Sequence, residues 1–395
     1  MPKVSIVIPT RNRGHLLRYA LYSALQQTYK DIEVVISDNC STDNTREVVD
    51  LFSADARVRY IRADKPLALT DSWEFACSHA NGKYLALLTD DCFYFKNAIK
   101  RAVTEMEGNN VKVGVWNTCP YYYPEWHERR KNTVYIPKWT NKCELLYSNN
   151  TLRNLFDLNI YYPYPKFLNS CIDMSVIQEI KNHQTRLLLP PYPDFSSAVS
   201  VLGNIDKYAF IDLPLAIDGI TPISIGASQM FDKGESAKKI LGDLENYDMA
   251  LDIPVITTWV NIAQSIKKAA EFYPDIPYEV NKDFIICKSM TELIQIHLVG
   301  SKSAKLGADL DYKRLKDFIN KQPGKLKKAV ARHERLVKIK IIAKKIYEYL
   351  PYWEHIERIR TKSRYYVFSG RKYGFNNIKE CGDFIENFIE RKMIG

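Results

Sequence analysis

Two adjacent carboxylates, Asp90 and Asp91, close the apolar run Tyr84–Leu88. Side by side after a strand they repel each other unless a cation sits with them. A hard divalent ion, Mn2+ or Mg2+, takes carboxylate and phosphate oxygens together and offsets the charge on a departing diphosphate. The same pair suits a solvated turn or a helix N-cap. A second polar cluster reads Asp38-Asn39-Cys40-Ser41-Thr42-Asp43. A carboxylate or amide oxygen there accepts the imide N–H of a uracil, while Ser41 or Thr42 suits the cap of a helix starting near Asp43. A third, Thr10-Arg11-Asn12-Arg13, opens a helix with two guanidiniums and free backbone N–H groups, a setting for an anion. Asp194 is the fourth candidate. Pro190, Pro191 and Pro193 stiffen its approach, and a helix begins near Phe195. A carboxylate held there serves as a general base if it faces the first cluster, and as a helix cap if it does not.

Alternating elements must position these groups. Val4–Pro9, Ile32–Ser37, Val58–Arg62 and Tyr84–Leu88 read as buried strands. Residues 14–28, 43–52 and 68–79 between them carry apolar residues at helical spacing. That alternation is an α/β sheet with helices on both faces, whose ligands sit at the carboxyl ends of the strands. Three of the four clusters follow such ends, so the fold gathers them on one edge. No GxGxxG and no GxxxxGK[ST] occurs, which argues against a Rossmann dinucleotide site and a P-loop. Residues 115–165, rich in Tyr, Trp and Pro, read as an irregular wall. Helices are expected at Leu168–Ile180 and Asp194–Leu202, a strand at 208–217, a loop at 218–236 and helical periodicity from 237 onward.

The chain has 395 residues, room for two to three domains. Its net charge of +10 is unevenly spread. Residues 301–395 hold 24 Lys+Arg against 11 Asp+Glu, a net of +13, leaving −3 for the rest. Leu326, Ala329, Val330, Leu336, Val337, Ile341, Ile342 and Ile346 recur near helical spacing among lysines and arginines, a basic amphipathic helix. Tyr365, Tyr366, Phe368, Arg371, Lys372 and Tyr373 add an aromatic and basic patch. Both suit a solvated, packed surface or an anionic leaflet, and no nucleic-acid module is matched, so no nucleic-acid partner is expected. The eight cysteines form no CxxC, which reads as free thiols in a reducing compartment. No signal peptide and no apolar run of about 18 residues is seen. A cytoplasmic chain, peripheral on the cytoplasmic face of a membrane, is the expectation.

VSIVIPTRNR, SDNCSTDNT and ANGKYLALLTDDC, in that order, resemble glycosyltransferase family 2 over about residues 3–230. The resemblance implies an α/β GT-A fold, with residues 1–230 as catalytic domain and 231–395 as a helical, basic C-terminal region for membrane or acceptor docking. It implies an inverting transfer from a nucleotide-sugar donor, a UDP-sugar, to a glycan or lipid-linked acceptor in cell-surface polysaccharide synthesis. By the same resemblance Asp91 is the metal ligand and Asp194 the catalytic base. Pro9, Thr10, Arg11, Asn12, Asp38, Asn39 and Asp90 hold the nucleotide, Asn39 at the base-reading place and Asp90 on ribose or metal. Thr89 stands where the family's first acid falls and Thr221 where its metal-shell histidine falls, with Asp218 a substitute nearby. Those departures leave a rival, a degenerate domain acting as a nucleotide-, membrane- or nucleic-acid-binding scaffold. A nucleotidyltransferase of related fold would want a Gly/Arg-rich phosphate loop with Lys, which residues 9–18 lack. Membrane contact is expected through residues 325–372.

Overall fold

The β-branched run at the N-terminus is apolar on both faces, and it becomes an inner strand of one mixed sheet. The computed structural model describes residues 2–126, 130–222, 251–299, 302–348, 361 and 364–394. Strands β1 (Val4–Thr10), β2 (Ile32–Asp38), β3 (Val58–Arg62) and β4 (Tyr84–Leu87) alternate with helices α1 (Gly14–Leu25), α2 (Thr45–Asp50) and α3 (Leu69–Ser78). β1 runs parallel between β2 and β4, and β3 lies parallel outside β2. Every residue of β1 and β2 is buried, as strands covered on both faces require. Their side chains alternate between two cores. Val7, Val35, Leu85 and Leu87 enter one, and Ile6, Ile8, Val34, Ile36 and Ala86 the other. This is the α/β GT-A arrangement that the resemblance implies.

The segment expected as an irregular wall contributes three strands and a helix. After β5 (Phe93–Tyr94) and α4 (Ala98–Gly108) come β6 (Val113–Tyr122), β7 (Thr133–Pro137), β8 (Cys143–Tyr147) and α5 (Ser148–Phe156). Trp116, Cys119 and Tyr121 of β6 are fully buried, so its aromatics are core rather than surface. Aromatic residues favour a pleated surface buried on one face. The helix expected from Leu168 starts later. Ser170–Asp173 is β9, antiparallel between β4 and β6. Asp173 then caps α6 (Met174–His183), accepting the Ser175 N–H at 2.8 Å. α7 (Pro193–Leu202) and β10 (Lys207–Ile220) fall where expected, β10 pairing parallel with β6 and antiparallel with β5 and β8.

The C-terminal region is helical through α8 (Thr258–Ala270), α9 (Lys282–Val299), α10 (Lys302–Asn320) and α11 (Gly324–Glu348). An ion cluster ties α10 to α11. Glu334 accepts from Tyr312 at 2.5 Å, from Lys338 at 2.8 Å and from Lys316. Burial alone would raise its pKa, but these donors outweigh burial and hold it at about 2.

Beyond residue 364 the expected helical region is corrected. Tyr365–Ser369 is β11, antiparallel to β7 at the edge of the same sheet. α12 (Ile378–Ile394) buries Ile378, Cys381, Ile385 and Ile389 in the core that α1 and α4 also line. The aromatic run explains the difference. Phe368 packs on α12, 4.9 Å from the Phe388 ring and 5.0 Å from Phe384, and Tyr366 lies 5.2 Å from Phe388. These rings are spent on packing rather than offered to a membrane.

The loop expected from 218 starts later, because residues 218–220 extend β10 along β6; from 223 onward it lies outside the described residues, as does the helical pattern of 237–250. All eight cysteines are free thiols. Among the described residues no helix is long and apolar enough to cross a membrane.

Candidate active site

β1, β2 and β4 end on one edge, and their polar ends interlock. Thr10 sits opposite Asp38 in the ladder, and its hydroxyl donates to Asp90 Oδ2 at 2.8 Å. Arg13 Nη1 donates to Asp90 Oδ1 at 3.1 Å and lies 3.5 Å from Asp91 Oδ2. A guanidinium thus stands beside the two carboxylates. Burial pushes the Asp90 carboxyl up; Arg13 opposes the rise and Asp91 adds to it, leaving it at about 6. Burial works against the charge on Arg13 as well, but Asp90 and Asp91 outweigh it and raise its pKa. The Tyr123 hydroxyl donates to the Asp91 carbonyl at 3.2 Å, and the Thr89 hydroxyl to Cys92 Sγ at 3.0 Å.

The first two loops are laced together. Ser41 Oγ accepts the Asn12 N–H at 2.9 Å, and Asn12 Oδ1 accepts the Thr42 N–H at 2.7 Å. Asn12 adopts φ +54°, a left-handed conformation that asparagine tolerates. Asp43 accepts from Gly14 N–H at 3.0 Å and Thr45 N–H at 3.1 Å, so it serves the start of α2 where Ser41 or Thr42 was expected to. Pro9 is buried inside β1, and Arg11 is exposed.

Asp38 and Asn39 are braces in this structure. Asp38 is fully buried and accepts from Ser41 N–H at 2.7 Å, Tyr60 at 2.6 Å and Arg62 at 2.5 Å. The Asn39 amide donates to the Leu67 carbonyl at 2.9 Å and accepts the Leu67 N–H at 2.7 Å. Both lie at the buried end of β2, where an unpartnered polar group is costly, so their side chains hold loops rather than stand free to read a base.

The opposite wall brings in residues distant in sequence. Asp218, near the end of β10, lies 3.8 Å from Cys92 Sγ, which is also 3.8 Å from Asp91 Oδ1. Asp218 is exposed to solvent. Burial, then Asp91, then Asp194 push its carboxyl up to about 6, with Lys166 opposing. The next residue, Gly219, passes so close that a Cβ would stand 1.8 Å from the Asp91 carbonyl oxygen. Thr221 is buried just beyond.

Asp194 occupies the first turn of α7, whose cap is Tyr192, so the helix-cap role weighed from sequence is not the one it plays. Its Oδ1 is buried without a hydrogen-bond partner. Burial raises its pKa and Lys166 draws it back. Lys166 itself lies 4.3 Å over the Phe195 ring; burial lowers its pKa, and Asp194 and Asp218 oppose that. Sequence inspection passed over Lys166. It stands in an aperiodic Tyr/Pro stretch, and a lone lysine among apolar residues was the one available signal.

Among the described residues no three or more His, Cys, Asp or Glu are grouped to hold a metal ion. Asp91 and Asp218 still offer two hard carboxylates close enough for one to raise the other's pKa. Mg2+ is commonly held by one or two carboxylates, with substrate phosphates and water completing its shell. The donor set fits an ion that arrives with a diphosphate and does not form a ready-made cage.

Comparison with known proteins adds the following. Residues 5–167 match the model of Glycosyl transferase family 2. An uncharacterized glycosyltransferase of Rickettsia felis is 36% identical over 110 residues, 27% of this chain and 18% of its own length. The UDP-Glc:alpha-D-GlcNAc-diphosphoundecaprenol beta-1,3-glucosyltransferase WfgD of Escherichia coli is 31% identical over 108 residues, 27% of this chain and 42% of its own. The GalNAc(5)-diNAcBac-PP-undecaprenol beta-1,3-glucosyltransferase of Campylobacter jejuni is 34% identical over 121 residues, 30% of this chain and 38% of its own. The matched stretch spans less than half the length of each.

The close pass of β10 behind Asp91 is directly testable. Gly219→Ala forces the Asp91 backbone aside and is expected to lower stability by about 1–3 kcal/mol, the usual cost of overpacking. Urea denaturation measures it, and an unchanged midpoint would show that the two strands do not approach as described.

Proposed function

We propose, from the match of residues 5–167 to the model of Glycosyl transferase family 2, that the chain is an inverting, metal-dependent sugar transferase. Its donor is a nucleotide-diphospho-sugar, a UDP-sugar, and its acceptor a hydroxyl of a glycan or lipid-linked saccharide in cell-surface polysaccharide synthesis. The names of the E. coli and C. jejuni relatives, which specify undecaprenol-linked acceptors, support that class. The observation that carries the reading is the buried, unpartnered Oδ1 of Asp194, a carboxyl that acts with Asp91 on Asp218.

In this mechanism Asp194 takes the proton of the acceptor hydroxyl as that oxygen bonds the anomeric carbon. The bond from that carbon to the diphosphate oxygen breaks, and its electron pair leaves with the nucleoside diphosphate. One displacement from the opposite face inverts the configuration. Lys166 favours the ionised form of the base against the cost of burial. Thr10 and Arg13 anchor Asp90 at the strand edge, where the diphosphate would lie. Mn2+ or Mg2+, held by Asp91 with Asp218, would neutralise diphosphate charge when bound.

We place the chain on the cytoplasmic face of a membrane. α11 supports this. Lys325, Lys328, Arg332, Arg335 and Lys340 are exposed, with Leu336 and Ile339 also 48% and 58% exposed among them. Each basic residue near an anionic leaflet is worth about 1 kcal/mol. Residues 342–350, part of the same expected surface, have side chains outside the described set. Sedimentation with phosphatidylglycerol vesicles tests the contact. Capture that is lost in Arg332→Glu/Arg335→Glu is expected, and equal capture by neutral phosphatidylcholine vesicles would contradict it.

Asp194→Asn is expected to lower kcat by about 10²–10⁴-fold, the scale of general-base catalysis, with UDP affinity retained. Asp194 must be ionised to accept a proton. Because burial raises its pKa, the rate should fall, as pH drops, at a value above the ordinary carboxylate range. Steady-state rates across pH check both, and an unchanged kcat in the variant would remove Asp194 from this role.

A further inference from the structure

The segment leading to Asp194 has an unusual shortage of backbone donors. Residues 190, 191 and 193 are prolines, so Leu188, Leu189 and Tyr192 carry the only N–H groups between positions 188 and 193. Each donates to a side chain, and the three side chains belong to three different elements. Leu188 N–H donates to Glu74 Oε1 of α3 at 2.7 Å. Leu189 N–H donates to Ser196 Oγ of α7 at 3.1 Å, and that hydroxyl donates back to the Leu189 carbonyl at 2.9 Å. Tyr192 N–H donates to Ser265 Oγ of α8 at 2.9 Å, and Ser265 donates onward to the Asn261 carbonyl at 2.9 Å. Two residues before Leu188, Arg186 pairs with Asp71 and donates to Thr70 Oγ1 at 3.0 Å, both on α3. Ser196 and Ser265 are fully buried.

We propose that Glu74 and Ser265 are positioning residues for Asp194, clamping its loop from α3 on one side and from α8 on the other. This rests on the assignment of Asp194 as base. The clamp gives the helical C-terminal region a part in the reaction, because α8 supplies the acceptor for the N–H at the start of the base's own helix. It also ties the Asp194 loop to the end of β2. α3 begins just after Leu67, which Asn39 grips at the end of β2, and it reaches Leu188 through Glu74. A side-chain acceptor can be deleted without changing the loop's own sequence, which makes the clamp separable from the base.

Glu74→Met and Ser265→Ala remove the acceptors, while Glu74→Gln and Ser265→Thr keep an oxygen in place. Amide hydrogen exchange is measured across the full chain. UDP release is measured from UDP-glucose, UDP-galactose and their N-acetylated counterparts, with water as acceptor. In the two deletion variants, exchange over residues 186–196 is expected to quicken at least tenfold with other segments unchanged. On the donor turned over, kcat should fall on the order of 10²-fold at unchanged KM, the usual effect of misplacing a reacting group. The conservative variants should restore both. Unchanged exchange overturns the proposal whatever the donor, and so does quickened exchange with normal kcat. An Asp194→Asn chain with normal UDP release defeats the base assignment instead, a result distinguishable from failure of the clamp.

Discussion

Asp90 and Asp91 stand side by side against Arg13, and Asp218 is influenced by both Asp91 and Asp194; keeping such charge away from bulk water is costly. Most of the surrounding architecture answers that cost. Arg13 stands against Asp90 and Asp91, and Lys166 acts on Asp194 and Asp218. The remaining negative excess is what a divalent ion and its diphosphate would meet. In the proposed reading, carboxylates grouped this way would repel an anionic donor that came without a metal, and nucleotide affinity would then depend on the ion.

Holding the charges in place draws on chain far from the strand ends. Gly219 lets β10 run against the Asp91 backbone. Behind that point α12 packs on the sheet, and a Cβ on Gly382 would come within 2.7 Å of the Phe93 ring, two residues after Asp91. Glu386 of α12 accepts the Lys96 N–H at 2.6 Å. The last thirty residues therefore support the acidic turn from beneath. On the other side, α8 packs on α7 and on the base loop. The C-terminal region is in part structural for the site, and among the described residues α11 carries a run of exposed lysines and arginines.

Much of this was legible in sequence where the signal was local and periodic. Val4–Pro9, Ile32–Ser37 and Tyr84–Leu88 announced themselves as buried strands, and that alone put Thr10, Asp38 and Asp90 on one edge. What depended on distant partners was not legible. Nothing local tells that the Asn39 amide is occupied by Leu67, or that Lys166 faces Asp194 and Asp218. The aromatic stretches misled for a physical reason. Tyrosine and phenylalanine suit a wet surface and a half-buried strand equally well, and the neighbouring strand or helix decides between them. For β6 and β11 that neighbour lay about a hundred residues away or more, in β10 and β7 respectively.

Calorimetric titration of UDP into the full chain, with and without Mn2+, tests the central claim most directly. The account predicts binding that requires Mn2+ and weakens at least tenfold in Asp91→Asn and in Asp218→Asn, about 1.4 kcal/mol or more. UDP binding of equal strength without metal, or untouched by both substitutions, would contradict it.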